Sequence, residues 1–125
     1  MGLILDTSVL IAGERQQFDL ARFFAEHADE SFFMAAITVS ELLHGVERAP
    51  PGHRRDERAK FVEATLGEIE IIDFDGAVAR RHAAVWADLE KAGRMLGAHD
   101  LIIAATALHY DHGLVTLNTA EFRQL

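Results

Sequence analysis

Three acidic residues of this chain lie beside short apolar segments, where their oxygens could bind a metal ion. Asp6 directly follows the apolar run 3–5, Glu41 comes shortly after a second apolar run, and Asp100 precedes the almost wholly apolar run 101–108. Carboxylates held close together repel one another unless they take up a proton or a cation. Mg²⁺ and Mn²⁺ prefer oxygen ligands of this kind. The acids therefore predict metal-assisted hydrolysis, provided that the fold brings them together.

Short apolar strands alternating with helices are the elements that would position these acids. We predict strands over residues 3–5, 32–35, 69–72 and 114–117. We predict helices over residues 8–13, 17–27, 38–48, 54–66, 75–91 and 100–109. In the third helix, Thr38 and Glu41 have the spacing of a capping box. The alternation predicts an α/β fold, an open sandwich whose parallel sheet binds ligands at the carboxyl ends of its strands.

In such a sheet, residues that follow parallel strands meet at one edge. Asp6, Glu41 and Asn118 all follow predicted strands, and Asp100 can join them because its helix leads into the fourth strand. Each acid alone has an ordinary explanation: Asp6 could cap the turn at Ser8, Glu41 could complete the capping box, and Asp100 could be a first-turn acid favoured by the helix dipole. Their coincidence at one edge favours a functional site.

Composition narrows the class of protein. The length of 125 residues suits a single domain over residues 1–125, and the lack of cysteine excludes disulfides, thiolate metal sites and cysteine nucleophiles. The net charge of −8 argues against binding nucleic acid by bulk electrostatics, but it allows an acidic metal site. No segment is apolar enough to span a bilayer, and the first residues lack the features of a secretory signal. We therefore expect no membrane association and a cytoplasmic location.

Four segments resemble, in order, the conserved motifs of PIN domains. They are LILDTS at 3–8, ITVSELLHGV at 37–46, GAHDLIIAATA at 97–107 and LVTLNTAEF at 114–122. Within that family the chain is most similar to the VapC-type toxins of bacterial and archaeal toxin–antitoxin pairs. The resemblance implies a PIN-like open α/β/α sandwich around a mainly parallel sheet of four to five short strands.

The resemblance also implies an activity, a cofactor and partners. It implies a Mg²⁺-dependent endoribonuclease toxin, with Mn²⁺ as an alternative ion, acting on RNA as a homodimer. It further implies a small VapB-like antitoxin that covers the active site. Carried over by motif, Asp6, Glu41 and Asp100 form the acidic core and hold the metal, Glu41 either directly or through water. Asn118 stands where many family members carry aspartate, and its amide oxygen could orient a water or a ligand.

Four further residues are supporting candidates. Thr7 and Thr116 resemble family hydroxyls that hydrogen-bond the site, and Arg94 resembles a basic position that could contact phosphate. Glu121, one turn beyond Asn118, could supply a fourth carboxylate or could be a solvated loop acid.

Other residues bear on how RNA would be bound. Two sets of basic residues are candidates for contacts with RNA, and either could instead be a solvated helix face. One is the pair Arg80 and Arg81, and the other is the stretch around Pro50-Pro51 that comprises Arg48, His53, Arg54, Arg55, Arg58 and Lys60. The histidines are not spaced as a zinc site. We interpret Trp86 as a core or dimer-packing residue.

Two alternatives come from other classes of protein. A phospho-acceptor receiver domain has this length and fold class, but it needs a lysine that ends its last strand, and Lys60 and Lys91 both lie in predicted helices. A haloacid-dehalogenase-type phosphatase would carry aspartate where Ser8 stands. A catalytically silent PIN fold that serves as a binding module is favoured only by Asn118.

Overall fold

Four short strands form one parallel sheet in the computed structural model, which describes residues 2–125. The strands are β1 (Gly2–Leu5), β2 (Ser31–Ala35), β3 (Glu70–Ile72) and β4 (Gly113–Val115). The helices are α1 (Thr7–Glu14), α2 (Leu20–Glu26), α3 (Ala36–Arg48), α4 (His53–Glu68), α5 (Gly76–Lys91), α6 (Ala98–Tyr110) and α7 (Thr119–Phe122). All three strand pairs are parallel, which confirms the predicted class.

The order of the strands is β3-β2-β1-β4. Leu5, the last residue of β1, pairs with Val115, the last residue of β4, so these two strands end level with each other. From β1 the chain proceeds to β2 on one side, and only later returns to β4 on the other side. In open α/β sheets, such a change of direction leaves a crevice at the carboxyl ends of the strands. The carboxyl ends of β1 and β4 therefore flank the expected position of a ligand.

The core has two parts, one on each face of the sheet. Consecutive strand residues point to opposite faces, and accordingly Leu5 packs with Leu10 and Met34, whereas Ile4 packs with Ile103 and Ala107. Burial of α6 is confirmed, since most of its residues from Leu101 to Ala107 are buried. None of the helices within residues 2–125 is long and apolar enough to cross a membrane.

The predicted capping box at Thr38 is wrong. Helix α3 begins at Ala36, immediately after β2, and its N-cap is Ala35, which makes no side-chain cap hydrogen bond. Thr38 lies inside the helix and is fully buried, with its hydroxyl 3.1 Å from that of Thr7. Because β2 passes directly into α3, there is no loop that a cap could close, and a tertiary contact takes the Thr38 hydroxyl instead.

Several element boundaries also differ from the predictions. The predicted helix 17–27 is shorter, because Asp19 caps it by accepting a hydrogen bond from the backbone N–H of Arg22. Strand β4 ends at Val115, since the next residues bond to side chains of the site rather than to a strand. Trp86 is 53% exposed, so within this chain it is not a core residue.

Candidate active site

Asp6 lies at the switch point of the sheet. Its backbone N–H donates to the carbonyl of Val115 at 2.9 Å, and its side chain is almost fully buried. The hydroxyls of Ser8 and Thr116 both donate to Asp6 Oδ2, each at 2.7 Å. Hydrogen bonds to ionised groups are stronger than those between neutral groups. The Asp6 carboxylate is therefore held in one orientation by two side chains, and one of them comes from the far end of the chain.

The same two hydroxyls also anchor the loop after β4. The backbone N–H of Leu117 donates to Ser8 Oγ at 3.2 Å, and that of Asn118 donates to Thr116 Oγ1 at 2.9 Å. Each hydroxyl accepts from the backbone and donates to Asp6, so none of these groups is left without a partner. This network couples the position of the 116–118 segment to that of Asp6.

Glu41 reaches the site from α3. Thr7 Oγ1 donates to Glu41 Oε1 at 2.8 Å. Since a hydroxyl has a single hydrogen, this shorter contact takes it in preference to the one with Thr38. Glu41 Oε2 lies 3.4 Å from Nδ1 of His99, and the Glu41 side chain is 30% exposed. Glu41 is thus oriented by one neighbour from α1 and one from α6.

Asp100 is half-buried in the first turn of α6. Burial raises the pKa of its carboxyl above the ordinary value of 3.8, and the charges of Asp6, Glu41 and Glu121 raise it further, whereas His99 lowers it. The three predicted acids therefore lie close enough to act on one another, as the topology implies. Unlike Asp6, Asp100 accepts no hydrogen bond from any residue in the described range 2–125.

The other predicted site residues make no side-chain hydrogen bond to Asp6, Glu41 or Asp100 within residues 2–125. Glu121 is exposed on α7 but near enough to affect Asp100. Asn118 is the exposed N-cap residue of α7. Arg94 donates from Nη1 to the backbone carbonyl of Gln124 at 3.0 Å, which ties the loop before α6 to the C-terminal segment.

Sequence reasoning missed two residues beside the acidic cluster, which consists of Asp6, Glu41 and Asp100. One is Ser8, whose hydroxyl donates to Asp6. The other is His99, which sits beside Asp100 in the chain, and that adjacency is the one signal that could have indicated it. Its contact with Glu41 joins residues far apart in sequence, so no local pattern predicts it.

The donor set fits a hard divalent cation that retains water. Its charged donors are carboxylate oxygens, and their mutual repulsion is relieved by a cation. Within residues 2–125, no group of three acidic or histidine side chains is arranged to hold a metal ion by itself. Mg²⁺ is commonly bound through one or two carboxylates, with waters and substrate phosphates completing its coordination. The set therefore suits a divalent cation that keeps bound water better than an ion that requires a closed protein cage.

Comparison with known proteins identifies the family. The family described as PIN domain matches residues 3–125. A Rickettsia bellii protein named Ribonuclease VapC is 33% identical over 125 residues, which cover 100% of this chain and 91% of that protein.

Two solved structures share the fold. DNA-bound VapBC from Salmonella typhimurium superposes with a TM-score of 0.88 at 24% identity, over 98% of this chain and 91% of that one, which is evidence for the fold alone. VapBC-5 from Mycobacterium tuberculosis, described as a member of the VapBC family of toxin-antitoxin systems, superposes with a TM-score of 0.73 at 26% identity, over 94% and 86% of the two chains.

Proposed function

This chain belongs to the PIN domain family, and we infer that it is a ribonuclease toxin of the VapC kind that hydrolyses RNA at the acidic cluster. The relative named Ribonuclease VapC matches it along its whole length. One structural observation carries the proposal: Glu41 contacts the chain neighbours of both other acids. Thr7, next to Asp6, donates to Glu41 Oε1 at 2.8 Å, and Nδ1 of His99, next to Asp100, lies 3.4 Å from Glu41 Oε2. The receiver-domain alternative is wrong, because the family match covers residues 3–125.

Asp6, Asp100 and Glu41, the last directly or through water, are the residues that would hold Mg²⁺ or Mn²⁺. When bound, such an ion lowers the pKa of a water molecule and offsets negative charge on the phosphate. The hydroxyls of Ser8 and Thr116 hold Asp6 in place, so its position does not depend on the ligand. Residues that orient metal ligands in this way commonly change metal affinity or activity 10- to 100-fold, to order of magnitude, when mutated.

The reaction proposed is hydrolysis of a phosphodiester bond. Water attacks phosphorus in line and the bond to the 3′ oxygen breaks, so the products carry a 5′-phosphate and a 3′-hydroxyl. The RNA 2′-hydroxyl takes no part as a nucleophile. Asn118, the exposed N-cap residue of α7, has an amide oxygen that can orient a water or a substrate hydroxyl.

The partners proposed are RNA, a small VapB-like antitoxin and a second copy of this chain, in the cytoplasm. Support for the antitoxin comes from the M. tuberculosis structure at 26% identity, whose description places it in the VapBC family of toxin-antitoxin systems. Exposed Trp86 on α5 is a residue that a second copy could cover.

The decisive experiment is cleavage of total RNA by the purified protein with Mg²⁺ and with EDTA. We expect cleavage only with Mg²⁺, and a loss of about 10²- to 10³-fold in Asp6→Asn and Asp100→Asn, because each substitution weakens binding of the ion that would offset charge in the transition state. Asp88→Asn, at an exposed acid of α5, is the matched control and should cleave normally.

Two results would contradict the proposal. Undiminished cleavage in EDTA would exclude the metal, and 2′,3′-cyclic phosphate ends would show that the 2′-hydroxyl is the nucleophile. Thermal melting of each variant shows that lost activity is not lost folding.

A further inference from the structure

A groove leads away from the acidic cluster over helices α1, α3 and α4. Its volume is about 630 Å³, and Thr7, Glu41 and His99 line the end nearest the cluster. Ile11, Leu42 and Phe61 contribute to an apolar floor. The groove is therefore an extension of the candidate active site rather than a separate cavity.

Helix α1 begins beside Asp6, α3 carries Glu41 in its first half, and both helices end at arginines that line this groove. Thr7 opens α1 and Arg15 is its C-cap, while Arg48 is the last residue of α3. Glu41 and Arg48 are about two turns apart on one face of α3, which at about 1.5 Å per residue is about 10 Å. A stacked single strand advances about 3.4 Å per nucleotide, so this distance spans about three nucleotides.

The arginines of the groove differ in whether they have a partner. Arg58 donates from Nε to Glu14 Oε1 at 2.6 Å, so its charge is matched. Arg15 and Arg48 are both exposed and form no ion pair with any residue of the described range 2–125. On a chain with a net charge of −8, two unmatched guanidinium groups beside an apolar floor complement an anionic ligand that also has flat apolar surfaces.

We propose that this groove binds single-stranded RNA about two to three nucleotides from the scissile phosphate, with Arg15 and Arg48 contacting phosphates and a base lying on the apolar floor. The proposal rests on the ribonuclease function. Guanidinium groups bind phosphates with two parallel hydrogen bonds, and apolar and aromatic surfaces accept bases without sequence preference. Because it brings phosphates to a chain that is acidic overall, the groove explains how RNA reaches the site.

A simpler role for these arginines is stabilisation of helix ends, since cations are favoured at helix C-termini. The salt dependence of RNA binding separates the two roles, because it counts phosphate contacts. The probe is a fluorescent oligouridylate, and the protein is Asp100→Asn, in which cleavage is expected to be silent. The dissociation constant is measured with Mg²⁺ from about 50 to 200 mM KCl, a range over which such contacts weaken markedly.

We expect Arg15→Gln with Arg48→Gln to make the slope of log affinity against log salt shallower by about 1.4, or about 0.7 for each single substitution. Between about 50 and 200 mM KCl, the double variant should therefore lose about sevenfold less affinity than the protein that keeps both arginines. Arg15→Lys with Arg48→Lys keeps the charges and should keep the slope. Arg22→Gln with Lys91→Gln removes the same charge from exposed positions outside the groove and should leave the slope unchanged.

An unchanged slope in the Arg15 and Arg48 variants would overturn the proposal. A protein segment would then be the better candidate to occupy the groove. An equal change in the Arg22 and Lys91 variant would also overturn the proposal, because the effect would then be one of net charge. The ribonuclease function is tested separately, by whether the unmodified protein cleaves RNA with Mg²⁺. Thermal melting of the single and double variants confirms that each is folded.

Discussion

Two carboxylates at the same edge of the sheet have opposite environments. Asp6, after β1, is almost fully buried and accepts two hydroxyl hydrogen bonds at 2.7 Å. Asp100, at the start of α6, is half-buried, accepts no hydrogen bond from residues 2–125, and has a raised pKa because of burial and neighbouring acids. The structure thus stabilises one negative charge with its own donors and leaves the other to be stabilised by a ligand.

This difference divides the site into a rigid part and a responsive part. The part around Asp6 is tied to β4 through Thr116 and to α1 through Ser8, so it is formed by folding itself. Around Asp100 the negative charges of Asp6, Glu41 and Glu121 act together, so a bound cation changes the free energy most there. We therefore expect stabilisation by metal to depend on Asp100, and the stability of the metal-free protein to depend on the hydroxyls of Ser8 and Thr116.

The largest expected effect is stabilisation by metal. Mg²⁺ at about 1,000 times its dissociation constant should raise the free energy of unfolding by about 4.1 kcal/mol. In Asp100→Asn that gain should fall sharply, because the carboxylate with no donors of its own is gone. Thermal melting with Mg²⁺ and with EDTA measures both. Asp88→Asn is the control and should keep the full gain. If Asp100→Asn also keeps it, Asp100 does not hold the metal.

A smaller effect is expected from the hydroxyl side of the comparison. Thr116→Val removes a donor to the Asp6 carboxylate and should cost about 1.5 to 3 kcal/mol, the usual range for a hydrogen bond to a charged group. The matched control is Thr106→Val, because that buried hydroxyl donates only to the backbone carbonyl of Ile102 at 2.8 Å.

Urea unfolding measures the stability of both valine variants, and RNA cleavage measures their activity. Thr116→Val should also lower cleavage about 10- to 100-fold, whereas Thr106→Val should not. Equal losses of stability and activity in the two variants would show that Thr116 has no special relation to Asp6.

The smallest expected effect is on how the stability of the protein depends on pH when no metal is bound. Because its pKa in the folded protein is raised, Asp100 holds its proton more tightly in the folded state than in the unfolded state. Its contribution to stability is thus present below the ordinary value of 3.8 and is lost as pH rises through the raised pKa. In EDTA, the stability of the unmodified protein should fall relative to Asp100→Asn over that window. Urea unfolding at several pH values measures this, and a relative rise would refute the assignment.

Much of the architecture could be predicted from local patterns. Apolar runs and helical periodicity identified all four strands and placed Asp6 after β1, because side-chain spacing along a strand or helix directly reflects which face is buried. The same patterns failed at Thr38, where a tertiary contact with Thr7 outweighs the local preference for a cap. At Trp86 they left core packing and dimer packing open, and exposure within this chain excludes only core packing.

By itself, the sequence determined a parallel α/β sheet, acids at the carboxyl ends of its strands and the resemblance to a ribonuclease family. Each of these depends on residues near one another in the chain or on motifs read in order. Only the tertiary structure decided that Thr116 donates to Asp6, that His99 lies beside Glu41, and that Arg15 and Arg48 line one groove. The physical reason is that these contacts join segments distant in the chain, whose meeting depends on how the whole core packs rather than on any local period.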